Sequence, residues 1–518
     1  MNRRVPALAR LVAASAVAVL VLAACSPDKT QVSPSDEADP APTASGTAAP
    51  PATGASDVYD QELQWSECGE LECATIQVPL DWSEPDGDTI EVALNRHPAR
   101  SADARLGSLL INPGGPGGSG LDLTEYFATT AGDDLLDAYD VVGFDPRGVG
   151  ASTPVQCGTD EEIDAFYLPD TLIETQDDLD AANARAADFA ANCRVESGAV
   201  IENVDTVSAA RDMDVIRAAV GDEQLNFLGF SYGTQLGATY AELYPENVGR
   251  LVLDGAVDFL LPSIDQARGQ AEGFENALTN FLRWCGERDT CPLDGGLDAQ
   301  KSQLSAMMER ALDEPYDSGT EWGVNGNLFV YGVVVTLYDE ASWPFLEIAL
   351  EEVAGTGEAA VMYELANFYL DRDTATGEYQ TNSTWAFTAI GCLDEVPGDT
   401  WTIDDVDEFR DAMVEASPTF GWWFASGAGC DEWPWTANEH VTSLEAAATA
   451  EQMLVIGTTN DPATPYWWSE SLAERLDASL LTYDGEGHTA YGRSNQCIID
   501  AVDGFLVDGR MPDSGTQC

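Results

Sequence analysis

Gly229-Phe230-Ser231-Tyr232-Gly233 carries more information about the architecture of this 518-residue chain than any other stretch. The apolar residues 225–228 before it are typical of a buried strand, and residues 234–241 after it follow helical spacing. Glycines on both sides of a serine allow the tight, strained turn that holds a serine hydroxyl out at the edge of a sheet. The pattern therefore predicts that Ser231 is a nucleophile at a strand-to-helix turn, with an ordinary Gly/Ser turn as the alternative.

The chain has only three histidines that could activate this serine. His97 lies in an early alternating strand and His440 follows a Trp-rich segment, so neither has a catalytic context. His488 follows the strand-like residues 479–483 and lies in the polar loop 484–489. A loop after a late strand can present an imidazole to a serine, so His488 is the predicted base, and a polar loop histidine is the alternative.

Asp461 is the predicted third member of a Ser-Asp-His triad. It follows the apolar run 453–460, precedes a Pro-rich turn and lies 27 residues before His488. A carboxylate in this position would accept the imidazole N–H, fix its tautomer and stabilise the imidazolium ion. Asp484 and Glu486 share the loop of the histidine and are weaker candidates.

A glycine-rich segment is predicted to stabilise the oxyanion of an acyl-transfer reaction. The strand-like residues 108–112 run into Pro113-Gly114-Gly115-Pro116-Gly117-Gly118. One predicted N–H donor is the backbone of Tyr232, directly after the nucleophile, and the other is Gly115, with Gly114 close behind. The segment does not fit a phosphate-binding loop, because no Gly-Lys-Ser/Thr follows it and its prolines lack N–H groups.

These motifs together resemble one family. The glycine loop, Val142-Gly143-Phe144-Asp145-Pro146-Arg147-Gly148-Val149-Gly150-Ala151-Ser152, the Ser231 turn, Asp461 and His488 are similar to the secreted tripeptidyl aminopeptidases of actinobacteria. These enzymes belong to the prolyl-aminopeptidase branch of the α/β-hydrolases, which includes mycobacterial cell-envelope serine proteases first called carboxylesterases. The resemblance covers about residues 60–518. It implies a serine peptidase that removes short peptides, often tripeptides, from free N-termini of peptides or proteins.

Two positions refine the resemblance. Pro113 stands where prolyl aminopeptidases carry a histidine, which fits the tripeptidyl side of the family. Ala389-Ile390-Gly391-Cys392-Leu393-Asp394-Glu395 is similar to the Ile-x-Cys-x-Asp stretch of the family's cap region. The resemblance implies that Asp394 or Glu395 could bind the α-ammonium group of a substrate. The alternative is that both are surface acids beside a structural disulfide.

The chain is predicted to have an α/β-hydrolase fold with a mostly parallel central sheet and an inserted, mainly helical cap. Residues 1–25 read as a lipoprotein signal peptide, since three arginines accompany a short apolar run and Leu22-Ala23-Ala24-Cys25 matches a lipobox. Cys25 would then be acylated and would hold the protein to the membrane, with ordinary signal cleavage and secretion as the alternative. Residues 26–56 are predicted to be a disordered tether rich in Pro, Ala, Ser and Thr. The enzyme would comprise a first core part (57–261), the cap (262–447) and a second core part (448–518).

The other ten cysteines form an even set, which in an exported chain predicts disulfides. Sequence proximity suggests the pairs Cys68 with Cys73, Cys157 with Cys193, Cys285 with Cys291, Cys392 with Cys430, and Cys497 with Cys518. No His/Cys cluster has the spacing of zinc ligands, and no cofactor motif is found, so neither a metal nor a cofactor is predicted.

The formal net charge of −67 makes nucleic-acid binding very unfavourable, because phosphate contacts need clustered Lys and Arg. The acidity predicts a solvated surface that could steer cationic N-termini towards the enzyme. Two other functions are compatible with the motifs: a carboxylesterase or lipase with the same triad, and a catalytically silent binding lipoprotein. The sequence does not specify an oligomeric state.

Overall fold

The computed structural model describes residues 56–170, 172–396, 401–426, 430–450, 452–513 and 515–518. The predicted signal peptide with Cys25, and the predicted tether apart from its last residue, lie outside the described residues.

A nine-stranded sheet forms the centre of the molecule. In chain order the strands are β1 (Ser66–Cys68), β2 (Leu71–Pro79), β3 (Thr89–His97), β4 (Gly107–Asn112), β5 (Tyr139–Phe144), β6 (Leu225–Phe230), β7 (Val248–Asp254), β8 (Tyr316–Asp317), β9 (Gly323–Val324), β10 (Met453–Asn460) and β11 (Ser479–Glu486). The central sheet has the order β1-β2-β3-β5-β4-β6-β7-β10-β11, and β8 pairs only with β9. From β5 to β11 all neighbours run parallel, whereas β1, β2 and β3 are antiparallel at one edge. The prediction of a mostly parallel sheet is confirmed.

Helices cover both faces of this sheet, as its buried parallel strands require. Those before β8 are α1 (Ser56–Tyr59), α2 (Gly120–Thr130), α3 (Asp133–Ala138), α4 (Asp160–Tyr167), α5 (Gln176–Ser197), α6 (Thr206–Ala219), α7 (Tyr232–Leu243) and α8 (Ser263–Gly286). The later ones are α9 (Leu297–Asp313), α10 (Gly326–Leu337), α11 (Trp343–Thr356), α12 (Ala360–Leu370), α13 (Ser383–Asp394), α14 (Ile403–Ala416), α15 (Gly421–Phe424), α16 (Tyr466–Arg475) and α17 (Gln496–Asp508). Within the described ranges no helix combines the length and the apolar character needed to cross a membrane.

The residues between β7 and β10, hereafter the insertion, contain α8 to α15 and the small β8–β9 sheet. Most of these helices pack around their own buried cluster, which includes Phe274, Phe329 and Trp423. Helix α13 is different, because its buried side chains Trp385 and Ile390 belong to the cluster that lies against the central sheet. The end of α13 is therefore fixed by the core although its sequence lies within the insertion.

The Asp145-Pro146-Arg147 motif has a structural role. The guanidinium of Arg147 is fully buried and makes two 2.7 Å contacts with the carboxylate of Asp212 on α6. It also donates to the carbonyl oxygens of Pro79, Leu80 and Asn203. All N–H donors of the guanidinium are bonded to protein acceptors, so its burial leaves none of them unsatisfied. The Arg147–Asp212 ion pair thereby joins the end of β2 to α6.

Five disulfides link the ten described cysteines: Cys68–Cys73, Cys157–Cys193, Cys285–Cys291, Cys392–Cys430 and Cys497–Cys518. They are the same pairs that sequence proximity suggests. Five disulfides fit an extracytoplasmic protein, because thiols in the cytosol are kept reduced.

Candidate active site

Ser231 lies at the sharp turn between β6 and α7 and has backbone angles of φ 54° and ψ −124°. A positive φ is rare for a residue with a side chain, and its presence here marks a backbone held under strain by its surroundings. The Ser231 N–H donates to the carbonyl of Asp254 at 2.8 Å, and Thr234 donates to the Ser231 carbonyl. A side chain at Gly229 would come within 2.3 Å of the Gly233 carbonyl oxygen, so the first glycine of the motif is needed for this turn.

Asp461 and His488 are brought together at the ends of β10 and β11. The Nδ1 atom of His488 lies 2.9 and 3.0 Å from the two carboxylate oxygens of Asp461. The same carboxylate accepts backbone N–H bonds from Ala463, Thr464 and Thr489. Since Nδ1 faces the acid, it carries the proton, and Nε2 is left to accept one from a nucleophile.

The weaker candidates do not join this pair. Asp484 is exposed and accepts from Thr459, and Glu486 accepts from Asn280. His440 contacts the carbonyl of Leu393 through Nε2 at 3.2 Å. Of the described imidazoles, only that of His488 is bonded to a carboxylate.

Two residues that the sequence analysis did not single out support the His488 loop. Asp254 at the end of β7 accepts the backbone N–H groups of Ala490 and Tyr491. Burial raises the pKa of Asp254 to about 6, and these two N–H bonds oppose the shift. Tyr338 directly follows α10, and its backbone carbonyl accepts the backbone N–H of His488 at 2.8 Å. The Tyr338 ring packs edge-on against the imidazole, with the ring centroids 5.6 Å apart. The insertion thus contacts the imidazole directly.

The glycine loop lies between the Ser231 turn and α13. A side chain at Gly114 would come within 2.4 Å of the Phe230 carbonyl oxygen, and one at Gly117 within 2.5 Å of that of Ser383. The Gly114 N–H donates to the Asn112 side chain at 3.0 Å, so it is engaged. In the part of the chain that the structure describes, the N–H groups of Gly115 and Tyr232 are bonded to no protein acceptor. This difference favours Gly115 over Gly114 as the second oxyanion donor.

Ser231, Gly115 and Tyr232 line a cavity of about 280 Å³ that is bounded by both the core and the insertion. Twelve aromatic residues contribute to its walls. They include Phe424 and Trp433, and also Phe166, Tyr167 and Phe189 from α4 and α5. The charged residues of the lining are Asp394, Glu395 and Arg185. The contribution of α4 and α5 was not expected from the sequence, where they form part of the first core segment.

Asp394, the last residue of α13, accepts three hydrogen bonds from the core. Its Oδ1 accepts the Thr206 N–H at 2.8 Å, and its Oδ2 accepts the Thr206 hydroxyl at 2.5 Å and the Gln235 amide at 3.4 Å. Burial raises the pKa of Asp394 to about 7; the bonds from Thr206 lower it, and the neighbouring Asp205 raises it further. The two predicted anchor residues and the predicted nucleophile therefore line one cavity.

None of the described residues forms a group of three or more His, Cys, Asp or Glu side chains suited to a metal ion. The residue types at this site suit acyl transfer by a serine, with His488 as the candidate base and the N–H groups of Gly115 and Tyr232 as the candidate oxyanion donors.

Comparisons with known proteins agree on one family. The family model described as "TAP-like protein" matches residues 417–518. Serine protease Hip1 of Mycobacterium tuberculosis is 33% identical over 485 residues, which cover 88% of this chain and 91% of that protein. Carboxylesterase B of the same organism is 34% identical, with 91% and 95% covered. Tripeptidyl aminopeptidase of Streptomyces lividans is 32% identical, with 89% and 86% covered.

Proposed function

Because this chain belongs to the TAP-like family of α/β-hydrolases, it is a serine hydrolase, and we propose that it removes short peptides, most often tripeptides, from free N-termini. The observation that carries the proposal is the presence of Asp394 and Glu395 in the same cavity as Ser231. A carboxylate there can pair with the α-ammonium group of a peptide whose scissile carbonyl lies at the serine.

The proposed reaction uses Ser231, His488 and Asp461 as a triad. His488 Nε2 takes the proton of the Ser231 hydroxyl while its oxygen forms a bond to the scissile carbonyl carbon. Asp461 stabilises the imidazolium, and the N–H groups of Gly115 and Tyr232 stabilise the oxyanion. The imidazolium gives its proton to the leaving amine as the C–N bond breaks, which leaves an acyl-enzyme. His488 then activates a water molecule that hydrolyses the ester and releases the short peptide.

The composition of the cavity supports an exopeptidase. Aromatic side chains from α4, α5 and the insertion line the same space as Ser231, together with the two acids. The acids also supply the charge that distinguishes a free N-terminus from an acylated one.

The test compares one peptide amide with a free N-terminus and its N-acetylated form. We expect acetylation to lower kcat/KM by roughly 30- to 4000-fold, as for the loss of a desolvated charge pair. Asp394→Asn and Glu395→Gln, made singly, should identify the anchor, because the variant that loses it should fail to distinguish the two substrates. Glu415→Gln is the matched control, since Glu415 is an exposed acid of the insertion outside the cavity lining. Equal cleavage of both substrates by the unmodified enzyme would contradict the proposal.

Esterase activity is the second candidate, favoured by the similarity to carboxylesterase B. The same triad can hydrolyse an ester, and its fold does not select between esters and amides. The measurement is kcat/KM on short acyl esters against tripeptidyl amides. An enzyme that turns over only the esters would support this function over the peptidase.

We also propose that the protein is anchored to the membrane through a lipid on Cys25. The Leu22-Ala23-Ala24-Cys25 box and the following Pro- and Ala-rich residues support this proposal. We expect Cys25→Ala to release the protein from the membrane fraction or to block its processing, with the activity of the folded enzyme unchanged. Equal membrane retention of the variant and the natural protein would contradict it.

A further inference from the structure

Thr206 and Tyr232 connect Asp394 to the Ser231 turn. Thr206 is the first residue of α6, and it donates both its backbone N–H and its hydroxyl to the Asp394 carboxylate. Its hydroxyl oxygen also contacts the hydroxyl of Tyr232. Tyr232 is the first residue of α7 and directly follows Ser231. Two hydrogen bonds therefore join the candidate anchor to the neighbour of the nucleophile.

The direction of these bonds follows from counting protons. When Asp394 is ionised, its carboxylate can only accept, so the single hydroxyl proton of Thr206 points at Asp394. The Tyr232 hydroxyl must then donate to the Thr206 oxygen. Thr206 and Tyr232 are 3% and 5% exposed, so water does not replace either partner, and losing one leaves a buried polar group unsatisfied.

The helices that carry this connection are themselves fixed to the core. Asp205 caps α6 by accepting the N–H and the hydroxyl of Ser208. The Tyr232 ring belongs to the apolar cluster against the sheet, as do the buried side chains of α13. The position of Asp394 relative to Ser231 is thus supported by core packing and by two hydroxyl groups.

We propose that Thr206 and the Tyr232 hydroxyl form a brace that fixes the position of Asp394 relative to Ser231, and so determines the length of the peptide that is removed. This inference rests on the proposed function. With the brace in place, the carbonyl that reaches Ser231 lies a fixed number of residues from a bound α-ammonium group. Without it, the carboxylate can take more than one position, and substrates are held in more than one register.

The experiment uses the mature full-length enzyme and a ten-residue peptide with a free N-terminus, and mass spectrometry identifies the first fragment released. The natural enzyme should release fragments of one length. Thr206→Val and Tyr232→Phe should each release a mixture. Thr206→Val should also lower the ratio of kcat/KM for free over acetylated peptide by about 10- to 100-fold, as for the loss of a hydrogen bond to a charged group, and Tyr232→Phe should lower it by a smaller factor, because its bond is to a neutral hydroxyl.

Three controls separate this role from a general loss of structure. Thr206→Ser keeps the hydroxyl and should restore a single fragment length. Ser208→Ala removes another buried hydroxyl from the start of α6 without touching Asp394, and should leave fragment length unchanged. Turnover of a short acyl ester, which does not reach Asp394, should change less than about twofold in Thr206→Val, because Thr206 lies outside the oxyanion hole and the cavity lining.

Each outcome decides a different point. If the natural enzyme prefers free N-termini but both brace variants keep its fragment length and its preference, the brace is overturned and the proposed function stands. If the natural enzyme cleaves free and acetylated peptides equally, the proposed function falls, and the brace falls with it.

Discussion

The site has a proposed reacting end and a proposed recognising end, and they are built in different ways. Ser231, Asp461 and His488 follow three parallel strands of one sheet, so strand hydrogen bonds place all three at the same edge. Asp394 belongs to a helix of the insertion and reaches its position through contacts with α6 and α7. The comparison teaches that strand order brings the three residues of the proposed triad to one edge, whereas the proposed recognition depends on contacts between segments far apart in sequence.

The largest expected effect lies at the reacting end. Ser231→Ala should lower kcat by roughly 10⁶-fold on peptides and esters alike, because it removes the nucleophile and leaves the fold unchanged. A fluorophosphonate should place one adduct on Ser231, located by mass spectrometry of peptide fragments. An adduct on another residue, or undiminished turnover by the variant, would contradict the assignment.

Asp461→Asn should lower kcat by about 10⁴-fold, since an amide favours the wrong imidazole tautomer and does not stabilise the imidazolium. Asp484→Asn is the matched control, because Asp484 lies nearer to His488 in sequence but is exposed and bonded to Thr459. Steady-state rates with a tripeptidyl amide measure both. A larger loss in the control than in Asp461→Asn would show that Asp484, and not Asp461, is the acid of the triad.

A pH profile should separate the two ends. Because burial raises the pKa of Asp394 to about 7, this carboxyl is largely protonated below that pH and pairs poorly with an ammonium group. The ratio of kcat/KM for free over acetylated peptide should therefore rise about fivefold between about pH 6 and about pH 7, then fall as the substrate amine loses its proton near pH 8. The ratio cancels any pH dependence of the hydrolytic step that is common to both substrates. A ratio that stays constant over this range would exclude Asp394 as the anchor.

The raised pKa of Asp394 also has a consequence for stability. Between about pH 4 and about pH 7 the folded protein binds more protons at this group than the unfolded chain does, so its contribution to stability decreases as pH rises. In Asp394→Asn this contribution is absent. Thermal unfolding should accordingly show a stability difference between variant and natural enzyme that changes in favour of the variant as pH rises through this range.

The smallest expected effect lies where the two ends meet. Tyr338→Leu removes the ring that packs against His488 and should lower kcat/KM by about 2- to 10-fold on both peptides and esters. Tyr338→Phe keeps the ring and should stay within about twofold of the natural enzyme. If the loss were confined to peptides, Tyr338 would act in peptide recognition and not in the support of His488.

The reacting end could be predicted because its signals are local. Ser231 has glycines on both sides, and Asp461 and His488 each follow an apolar run that forms a strand. The support for His488 could not be predicted, since Asp254 is one of 90 acidic residues and its partners lie more than 230 positions away. Tyr338 also lacks a sequence signal, because its contact with His488 joins residues that are far apart in the sequence.

The recognising end was only partly predictable. The sequence indicates that α4 and α5 are helices but not that Phe166 and Phe189 line the cavity, because an apolar helix face can be buried against many surfaces. Thr206 carries one signal, an Asp before it that caps a helix, and that signal predicts where α6 starts and nothing about Asp394. Helix α13 was expected in the cap, and its packing against the core depends on the tertiary structure.

Gly114 and Gly117 limit how this enzyme can diversify. A side chain at the first would displace the nucleophile turn, and one at the second would displace the start of the helix that ends at Asp394. Substitution of either glycine would therefore alter chemistry and recognition together. Almost no substitution at these two positions should be functionally neutral. Relatives that acquire new substrates must change the aromatic walls of the cavity instead, so variation in substrate preference should be found in α4, α5 and the insertion rather than in the loop.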